Sequence, residues 1–268
     1  MLVLLPPSEG KTAPARGAPV DLDRLSFPAL TAARERVLDA LVEASARPDA
    51  TDLLRVSPGL ADEIRANVRL RCAPAAPADR VYTGVLYGAA GLAHLTGIAR
   101  RRATQSVRIV SALWGAVRPS DRIPAYRLSM GVDLPGLGTK LARFWRAPLA
   151  AALGESAAGD VVVDGRSAAY AAAWSPPRTS DHVLVQVVRE RPDGGRQVVS
   201  HHAKHARGLL TRHLLTRAHP APRTAEGVAD AAQGLIGTPT TTGGHIAEVE
   251  LADPGASGSR TLTLVERA

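Results

Sequence analysis

Short, largely apolar runs bounded by turn-forming residues recur along the chain. Such runs are typical of strands that are buried on both faces of a sheet. Two segments at residues 181–189 and 197–200 flank Pro192-Asp193-Gly194-Gly195, which favours a β-hairpin. The pattern predicts strands over residues 1–5, 107–113, 160–163, 181–189, 197–200, 246–251 and 261–265.

Between these runs, apolar residues recur at helical spacing. Ala33, Val37, Leu41 and Ala44 fall on one face of a helix, and Ser57-Pro58 resembles an N-cap followed by proline in the first turn. The pattern predicts helices over residues 30–46, 57–71, 84–100, 140–153, 205–217 and 225–235. Without an internal repeat or a long linker, this interleaving predicts an α+β fold, a single compact mixed α/β domain over residues 1–268.

Composition narrows the class of protein. The chain has 268 residues, 45% of them apolar, which is enough for a sizeable core. Its one cysteine, Cys72, forms no internal disulfide, which favours a reducing compartment. No apolar run approaches the ~20 residues of a membrane-spanning helix. We therefore expect a cytoplasmic protein without a membrane segment.

The formal net charge is +8, and nearly all of the 33 basic residues are arginines. Arginine and alanine codons are GC-rich, so base composition accounts for part of this bias, and charge alone leaves an ordinary solvated basic surface open. The three lysines, Lys11, Lys140 and Lys204, carry more information, because a lysine kept in an arginine-rich chain offers a compact ammonium with a tunable pKa.

The chain matches three known sequence motifs only in part, and each mismatch falls at a defined position. Gly10-Lys11-Thr12 resembles the end of a phosphate-binding loop, but Leu5 stands where that motif needs glycine. Gly165-Arg166-Ser167 lacks the second glycine of a nucleophile elbow, because Ala169 stands there. His201 and His205 have a metal-compatible spacing without the glutamate of the metalloprotease motif. We expect neither a metal nor a cofactor.

Four segments carry the remaining chemistry. They are Leu5-Pro6-Pro7-Ser8-Glu9-Gly10-Lys11-Thr12, Val81-Tyr82-Thr83-Gly84, the stretch at residues 113–131, and Ser200-His201-His202-Ala203-Lys204-His205-Ala206-Arg207-Gly208. Their order and spacing resemble the YaaA family of bacterial peroxide-stress proteins, from residue 1 to about residue 215. The family's aromatic positions near residues 201–202 are histidines here.

The resemblance implies a helix-hairpin-helix-like element and DNA binding linked to protection against oxidative stress. That element would involve the turn at Trp114-Gly115-Ala116-Val117-Arg118-Pro119. There Gly115 would let backbone N–H groups approach a phosphate, and Arg118 would grip it in a bidentate way. The alternative is a structural turn that packs Trp114 into the core.

Most of the predicted ligand-binding residues lie in these segments. Tyr126-Arg127 offers a ring for stacking beside a charge, or else a buried tyrosine beside an arginine that bridges carboxylates. Lys204 and Arg207 would share one face near the start of a helix, where backbone N–H groups also favour anions. The candidates are Ser8, Glu9, Tyr82, Thr83, Gly84, Trp114, Gly115, Arg118, Tyr126, Arg127, Ser167, Tyr170 and Arg207. Asp164 and Arg166 follow the strand at 160–163 and would line the same cleft, unless they form an ordinary strand-to-helix connection.

The candidate residues also include lysines and carboxylates that could take part in catalysis, which ligand binding alone does not require. A desolvated Lys11 or Lys204 would act as nucleophile or base, and Glu9, Asp121 and Asp164 offer carboxylates for acid–base work, with Asp121 among the proposed catalytic residues. This gives an alternative function, a nucleotide- or nucleoside-processing enzyme that cleaves an N-glycosidic or related bond. A non-catalytic adaptor role is the third hypothesis. The expected partner is DNA or a nucleotide, and protein partners stay unknown.

Overall fold

The computed structural model describes residues 1–191, 194–199, 203–241 and 243–267. The predicted strands are present in it, together with three short ones. The strands are β1 (Leu2–Leu5), β2 (Ala76–Pro77), β3 (Val107–Ser111), β4 (Gly115–Val117), β5 (Arg122–Ile123), β6 (Val161–Asp164), β7 (Asp181–Glu190), β8 (Arg196–Val198), β9 (His245–Leu251) and β10 (Arg260–Arg267).

Helices fill the intervals between the strands. They are α1 (Thr31–Ser45), α2 (Ala50–Leu53), α3 (Ala61–Asn67), α4 (Ala78–Val81), α5 (Val85–Ala90), α6 (Gly97–Ser106), α7 (Leu141–Ala157), α8 (Ala168–Ala171), α9 (Ala203–Thr216) and α10 (Ala225–Gln233). Among the described residues, none of these helices is long and apolar enough to cross a membrane.

One mixed sheet organises the described part of the chain. Its strands lie in the order β4-β3-β1-β6-β7-β10-β9, with β8 paired to β7. The five strands from β3 to β10 in this order are parallel, and β4 and β9 close the two edges antiparallel. Every residue of β1, β3 and β6 is buried, as expected for parallel strands covered on both faces. The mixed α/β class is therefore confirmed.

The predicted hairpin is also present. Residues Val188, Arg189 and Glu190 of β7 pair antiparallel with Val198, Gln197 and Arg196 of β8. Two residues of its turn, at 192 and 193, lie outside the described residues. Ser200, His201 and His202 of the fourth signature segment lie outside them as well.

Two predicted helices are interrupted. The helix expected over residues 84–100 is two helices, because Gly91 and Gly97 adopt left-handed backbone angles (φ 59° and 53°). The helix expected from Ser57 begins as a 3-10 turn over Pro58–Leu60, and the Ser57 side chain makes no cap hydrogen bond. Local signals placed these elements but did not fix their ends.

The helix-hairpin-helix-like element is not confirmed at residues 114–119. This segment is instead the second arm of a β-hairpin, in which Val117, Ala116 and Gly115 pair with Ile109, Val110 and Ser111. Trp114 is fully buried, and Gly115 has a φ of 68°. A Cβ at Gly115 would lie 2.6 Å from Cζ3 of Trp145, so core packing requires this glycine. The structure therefore agrees with the alternative, a structural turn that packs Trp114 into the core.

Candidate functional site

The site lies at the carboxyl ends of the central parallel strands. The chain leaves β1 toward β3 on one side and leaves β6 toward β7 on the other. A crevice opens where connections diverge in this way, and open α/β sheets bind their ligands there. A pocket of about 250 Å³ occupies this position; it is lined by Ser8, Glu9, Lys11, Leu54, Arg55, Val56, Arg127, Leu128, Ser129 and Tyr170.

Lys11 is the central side chain of this pocket. Its Nζ donates to the carbonyl oxygens of Ser8 (2.7 Å) and Glu9 (3.2 Å), in the loop that follows β1. The same Nζ lies 4.4 Å from the centre of the Tyr126 ring and 5.8 Å from that of Tyr82. An isolated β-bridge between Lys11 and Tyr82 fixes the loop. The lysine head is therefore held in place from several directions.

This environment changes the protonation of Lys11. Burial lowers its pKa to about 7, and the positive charge of Arg127 lowers it further, while Glu63 and Glu9 act in the opposite direction. Loss of hydration penalises the ammonium form more than the neutral amine. Much of Lys11 is therefore an uncharged amine near neutral pH.

A buried hydroxyl network supports the floor of the pocket. The Tyr126 hydroxyl lies 3.0 Å from that of Tyr82 and 2.7 Å from Ser111 Oγ. Ser111 Oγ also accepts from the backbone N–H groups of Leu113 (3.2 Å) and Trp114 (3.0 Å). Burial raises the pKa of both phenols well above the ordinary value. Tyr126 is thus a buried tyrosine with a satisfied hydroxyl, with its ring against Lys11.

Arg127 is positioned by its own backbone. Asn67, a buried residue at the end of α3, accepts from the Arg127 N–H (2.9 Å) and donates to the Arg127 carbonyl oxygen (2.9 Å). The guanidinium NH1 then reaches the Glu9 carbonyl oxygen at 3.3 Å and the Glu63 carboxylate at 3.4 Å. This clamp keeps a positive charge at the pocket wall.

Tyr170 closes the side of the pocket near β6. It lies on α8, directly after the β6 loop, and burial raises its pKa to about 12. The phenol is therefore protonated at neutral pH and serves as a hydrogen-bond donor. Ser167 precedes it as the N-cap of α8 and is exposed.

An ion cluster lies behind the β6 loop. Asp164 accepts two hydrogen bonds from the Arg166 guanidinium (2.9 and 2.7 Å), and His182 Nε2 lies 3.2 Å from the same carboxylate. Although burial opposes ionisation, these hydrogen bonds hold the pKa of Asp164 well below its usual range. Arg166 NH1 also donates to the Tyr170 carbonyl oxygen (3.3 Å). The cluster thereby braces the loop that carries Tyr170.

Arg207 is turned into the same region. Its guanidinium donates to the Val185 carbonyl oxygen (3.0 Å), and burial lowers its pKa while Asp164 raises it. Lys204, one turn earlier on α9, is half-buried and does not line the Lys11 pocket. The structure thus separates the two lysines that the sequence offered as equivalent candidates.

Arg118 and Asp121 lie elsewhere. The β4 register carries Arg118 toward the amino end of β3, whereas the Lys11 pocket is at the carboxyl end. Asp121 accepts from the Arg118 backbone N–H (2.9 Å) and from Ser26 Oγ (2.7 Å). The Arg118 guanidinium lies 5.6 Å from the Phe27 ring centre. Both residues are therefore placed to organise a turn outside the Lys11 pocket.

Thr83 and Gly84 border a second depression. The Ser8 hydroxyl donates to the carbonyl oxygens of Thr83 and Gly10, so the segment after α4 is tied to the β1 loop. Gly84 (φ 115°) starts α5. The open depression of about 430 Å³ is lined by Asp79, Arg80, Tyr82, Thr83, Gly84, Tyr87, Gly88, Gly91, Ala93 and His94.

The structure adds pocket residues that the sequence did not indicate. Arg55 is the most consequential, because its guanidinium lines the pocket and donates to the Gly131 carbonyl oxygen (3.3 Å). It has a left-handed φ of 53° just after α2. Asn67 and Glu63 come from α3, and neither belongs to a motif. The described residues contain no group of three or more His, Cys, Asp or Glu side chains able to hold a metal ion.

Together these features define an open, largely parallel α/β protein with a small lysine–arginine pocket at its strand ends. Comparison with known families gives a consistent result. The family model described as "Peroxide stress protein YaaA" matches residues 1–231. The chain therefore belongs to the YaaA family of peroxide stress proteins.

Named relatives agree with this assignment. A UPF0246 family protein of Streptomyces coelicolor is 52% identical over 217 residues, which cover 80% of this chain and 83% of that protein. A UPF0246 protein of Corynebacterium efficiens is 43% identical over 238 residues, with coverages of 87% and 92%. One of Corynebacterium glutamicum is 39% identical over 242 residues, with coverages of 88% and 94%.

Proposed function

We propose that this protein binds nucleic acid, DNA in the first place, and that a backbone phosphate enters the Lys11 pocket as part of protection against peroxide stress. The family description supports the link to peroxide stress. The DNA component rests on the charge of the chain and on the chemistry of the pocket.

One observation carries the proposal, the convergence of Lys11, Arg55 and Arg127 on one small pocket. Glu9 is the one acidic side chain among the described residues that line this pocket, while Glu63 pairs with Arg127 and Asp133 with Arg55 beside it. Arginine presents planar N–H donors that match phosphate oxygens in a bidentate way. The pocket is therefore suited to an anion, and its place at the carboxyl ends of parallel strands suits a phosphate-bearing ligand.

The charge of the whole chain favours a polyanion over a free phosphate. A formal net charge of +8 attracts DNA over long range, and each phosphate contact releases condensed counterions. Phosphate contacts position a protein without reading base sequence. Binding should therefore be strongly salt-dependent and nearly independent of sequence.

A salt titration of DNA binding tests the proposal. The affinity of the wild type for unrelated duplexes is compared with that of Arg127→Ala and Arg55→Ala between low and moderate salt. Each change should weaken binding to all sequences and reduce the slope of log Kd against log salt by about 1. Arg47→Ala is the matched control, because Arg47 is an exposed arginine paired with Asp49 outside the pocket.

Two results would contradict the proposal. The first is no retention of the wild type on DNA at low salt. The second is an equal loss of affinity in Arg47→Ala and Arg127→Ala, because DNA would then bind a diffuse basic surface. Preferential binding of RNA in the same titration would replace DNA as the partner.

A second candidate function is the processing of a nucleotide or nucleoside by a pocket lysine. It is favoured by the lowered pKa of Lys11, which burial and Arg127 produce. Of the three catalytic residues proposed from the sequence, Lys11 lines the pocket. Asp121 is bound by Ser26 and by the Arg118 backbone, whereas Glu9 lines the pocket and is the carboxylate that we assign to acid–base work.

A further inference from the structure

We infer that Lys11 is a nucleophile toward aldehydes and forms an imine with an open-chain phosphorylated sugar whose phosphate is held by Arg127 and Arg55. The inference deepens the proposed function, because it rests on the same pocket and names the unit that enters it. An open-chain sugar with one phosphate occurs in DNA where a base has been lost, and it also occurs as a free sugar phosphate.

The position of the amine supports this chemistry. The two backbone carbonyls that accept from Nζ, those of Ser8 (2.7 Å) and Glu9 (3.2 Å), belong to the loop that forms the pocket edge. A neutral amine that donates its two N–H groups to these carbonyls keeps its lone pair for attack. Lys11 is therefore oriented before any ligand arrives, which removes part of the entropic cost of reaction.

The dimensions of the pocket limit the ligand. Its volume of about 250 Å³ lies below the ~300–1,000 Å³ typical of pockets for drug-sized ligands. A sugar with one phosphate is a ligand of this scale. Arg55 and Arg127 line the same pocket as Lys11, so a phosphate at the arginines keeps the carbon chain beside the amine.

The surroundings of Lys11 favour the reactive form of the amine. Burial lowers its pKa to about 7, with Arg127 acting in the same direction. Lysines that form imines are activated in this way, by desolvation beside another cationic group. Lys140, in contrast, is exposed and precedes α7.

The reaction balances without a further reactant. The Lys11 nitrogen forms a bond to the aldehyde carbon, and the carbonyl oxygen takes a proton to give a carbinolamine. Loss of that hydroxyl as water leaves a protonated imine, and addition of water reverses the sequence. Tyr170 lines the pocket as a protonated phenol, with its pKa raised to about 12 by burial, and can supply that proton to the oxygen.

Borohydride trapping tests the inference on the full chain. The protein is treated with sodium borohydride and either a duplex with one abasic site or 2-deoxyribose 5-phosphate. Hydride reduces the imine to a stable secondary amine, so the mass rises by that of the sugar phosphate, or of the abasic strand, less one oxygen. Since the sequence has three lysines, at positions 11, 140 and 204, peptide mapping assigns the adduct. At neutral pH, Lys11 should carry about tenfold or more adduct than Lys140.

Variants test the assignment to Lys11. Lys11→Arg and the neutral Lys11→Met cannot form an imine, so both should lose the adduct. Lys140→Arg is the control that should keep the full adduct. Peptide mapping of the adduct on the wild-type protein does not depend on whether any variant folds.

Each outcome has a defined meaning. A Lys11 adduct with the abasic duplex supports the inference with DNA as the source of the sugar. A Lys11 adduct with the free sugar phosphate alone also supports the inference. If the protein is not retained on DNA in that case, only the proposed DNA-binding function is contradicted. An adduct spread evenly over the lysines, or none with either probe, overturns the inference while DNA affinity is judged separately.

Discussion

The Nζ atom of Lys11 lies 4.4 Å from the centre of the Tyr126 ring, and the Tyr126 hydroxyl in turn lies 2.7 Å from Ser111 Oγ. The pocket lysine is thus connected to the end of β3 through one aromatic side chain. Lys11 comes from the loop after β1, so two neighbouring strand ends jointly determine where the amine sits. This arrangement leads to four predictions besides the tests described above.

The first prediction concerns the hydroxyl network. Tyr126→Phe keeps the ring under Lys11 but leaves the buried Tyr82 hydroxyl without its Tyr126 partner. An unsatisfied buried hydroxyl costs about 1–3 kcal/mol, so the free energy of unfolding should fall by that amount in a denaturant titration. Tyr126→Leu, unlike Tyr126→Phe, also removes the aromatic ring that lies beside the Lys11 amine. A change no larger than ~0.5 kcal/mol in Tyr126→Phe would show that the network contributes little.

The second prediction concerns the reactivity of Lys11 as a function of pH. The groups that face its amine are Arg127, Glu63, Glu9, Tyr82 and Tyr126. Because the pKa of Lys11 is lowered to about 7, its neutral fraction rises as pH increases through 7 and is nearly complete above pH 8. The rate of acylation at Lys11 should therefore level off above about pH 8, as measured by competitive labelling and peptide mapping.

Lys140 provides the internal comparison, because this lysine is exposed. Acylation of an ordinary lysine keeps rising until pH approaches about 10.4. At neutral pH, Lys11 should therefore be acylated faster than the exposed Lys140. Parallel pH profiles for the two lysines would contradict the burial of the Lys11 amine.

The third prediction concerns the ion cluster behind the β6 loop. Asp164→Asn leaves the buried Arg166 guanidinium without its carboxylate, and breaking such a pair costs about 3–5 kcal/mol. The change should appear as a lower free energy of unfolding at pH 7. Asp49→Asn is the control, since the Arg47–Asp49 pair is exposed and screened by solvent, so its loss should change the free energy of unfolding little.

The same cluster determines a pH dependence. The folded pKa of Asp164 is well below its unfolded value, so its contribution to stability is fully present above about pH 4–5 and is lost as pH falls toward the folded pKa. The stability difference between the wild type and Asp164→Asn should therefore narrow below about pH 4. A difference that stays constant down to pH 3 would show that packing, not charge, is responsible.

The fourth prediction concerns Gly115, which the sequence offered as a phosphate contact. Gly115→Ala should lower the free energy of unfolding by about 2–4 kcal/mol, because its φ is 68° and the new Cβ would meet the Trp145 ring. Gly131→Ala is the matched control, since no atom lies within 4 Å of its Cβ position. Reduced DNA affinity of a stably folded Gly115→Ala would favour the phosphate-contact interpretation instead.

Local pattern was sufficient for the class of fold and for most elements. The apolar run at residues 1–5 became β1, and the run at 160–163 became the core of β6. Helical spacing located α1 and α7 within a few residues. These predictions succeed because a strand or helix that packs into a core must show its own periodicity in its own residues.

The candidate site was only partly accessible to the same reasoning. Lys11, Arg127 and Tyr170 were named from the sequence and line one pocket. Arg55 was not, because it belongs to no motif and reaches the pocket through a left-handed turn after α2. Asp121 and Gly115 do not line that pocket, and the sequence could not show this because a carboxylate or a glycine has the same appearance in a turn as in a site.

The sequence by itself determined the alternation of strands and helices, the membership of the family and the segments that contain the candidate site residues. Each of these properties depends on residues that are close together in the chain. Only the tertiary structure decided which lysine enters the pocket. Lys11 follows β1 and meets Tyr126 and Arg127, while Lys204 lies on α9 outside that pocket. The physical reason is that the burial that lowers the pKa of Lys11 comes from segments distant along the chain, such as those of Tyr82 and Tyr126, and such contacts leave no trace in local sequence pattern.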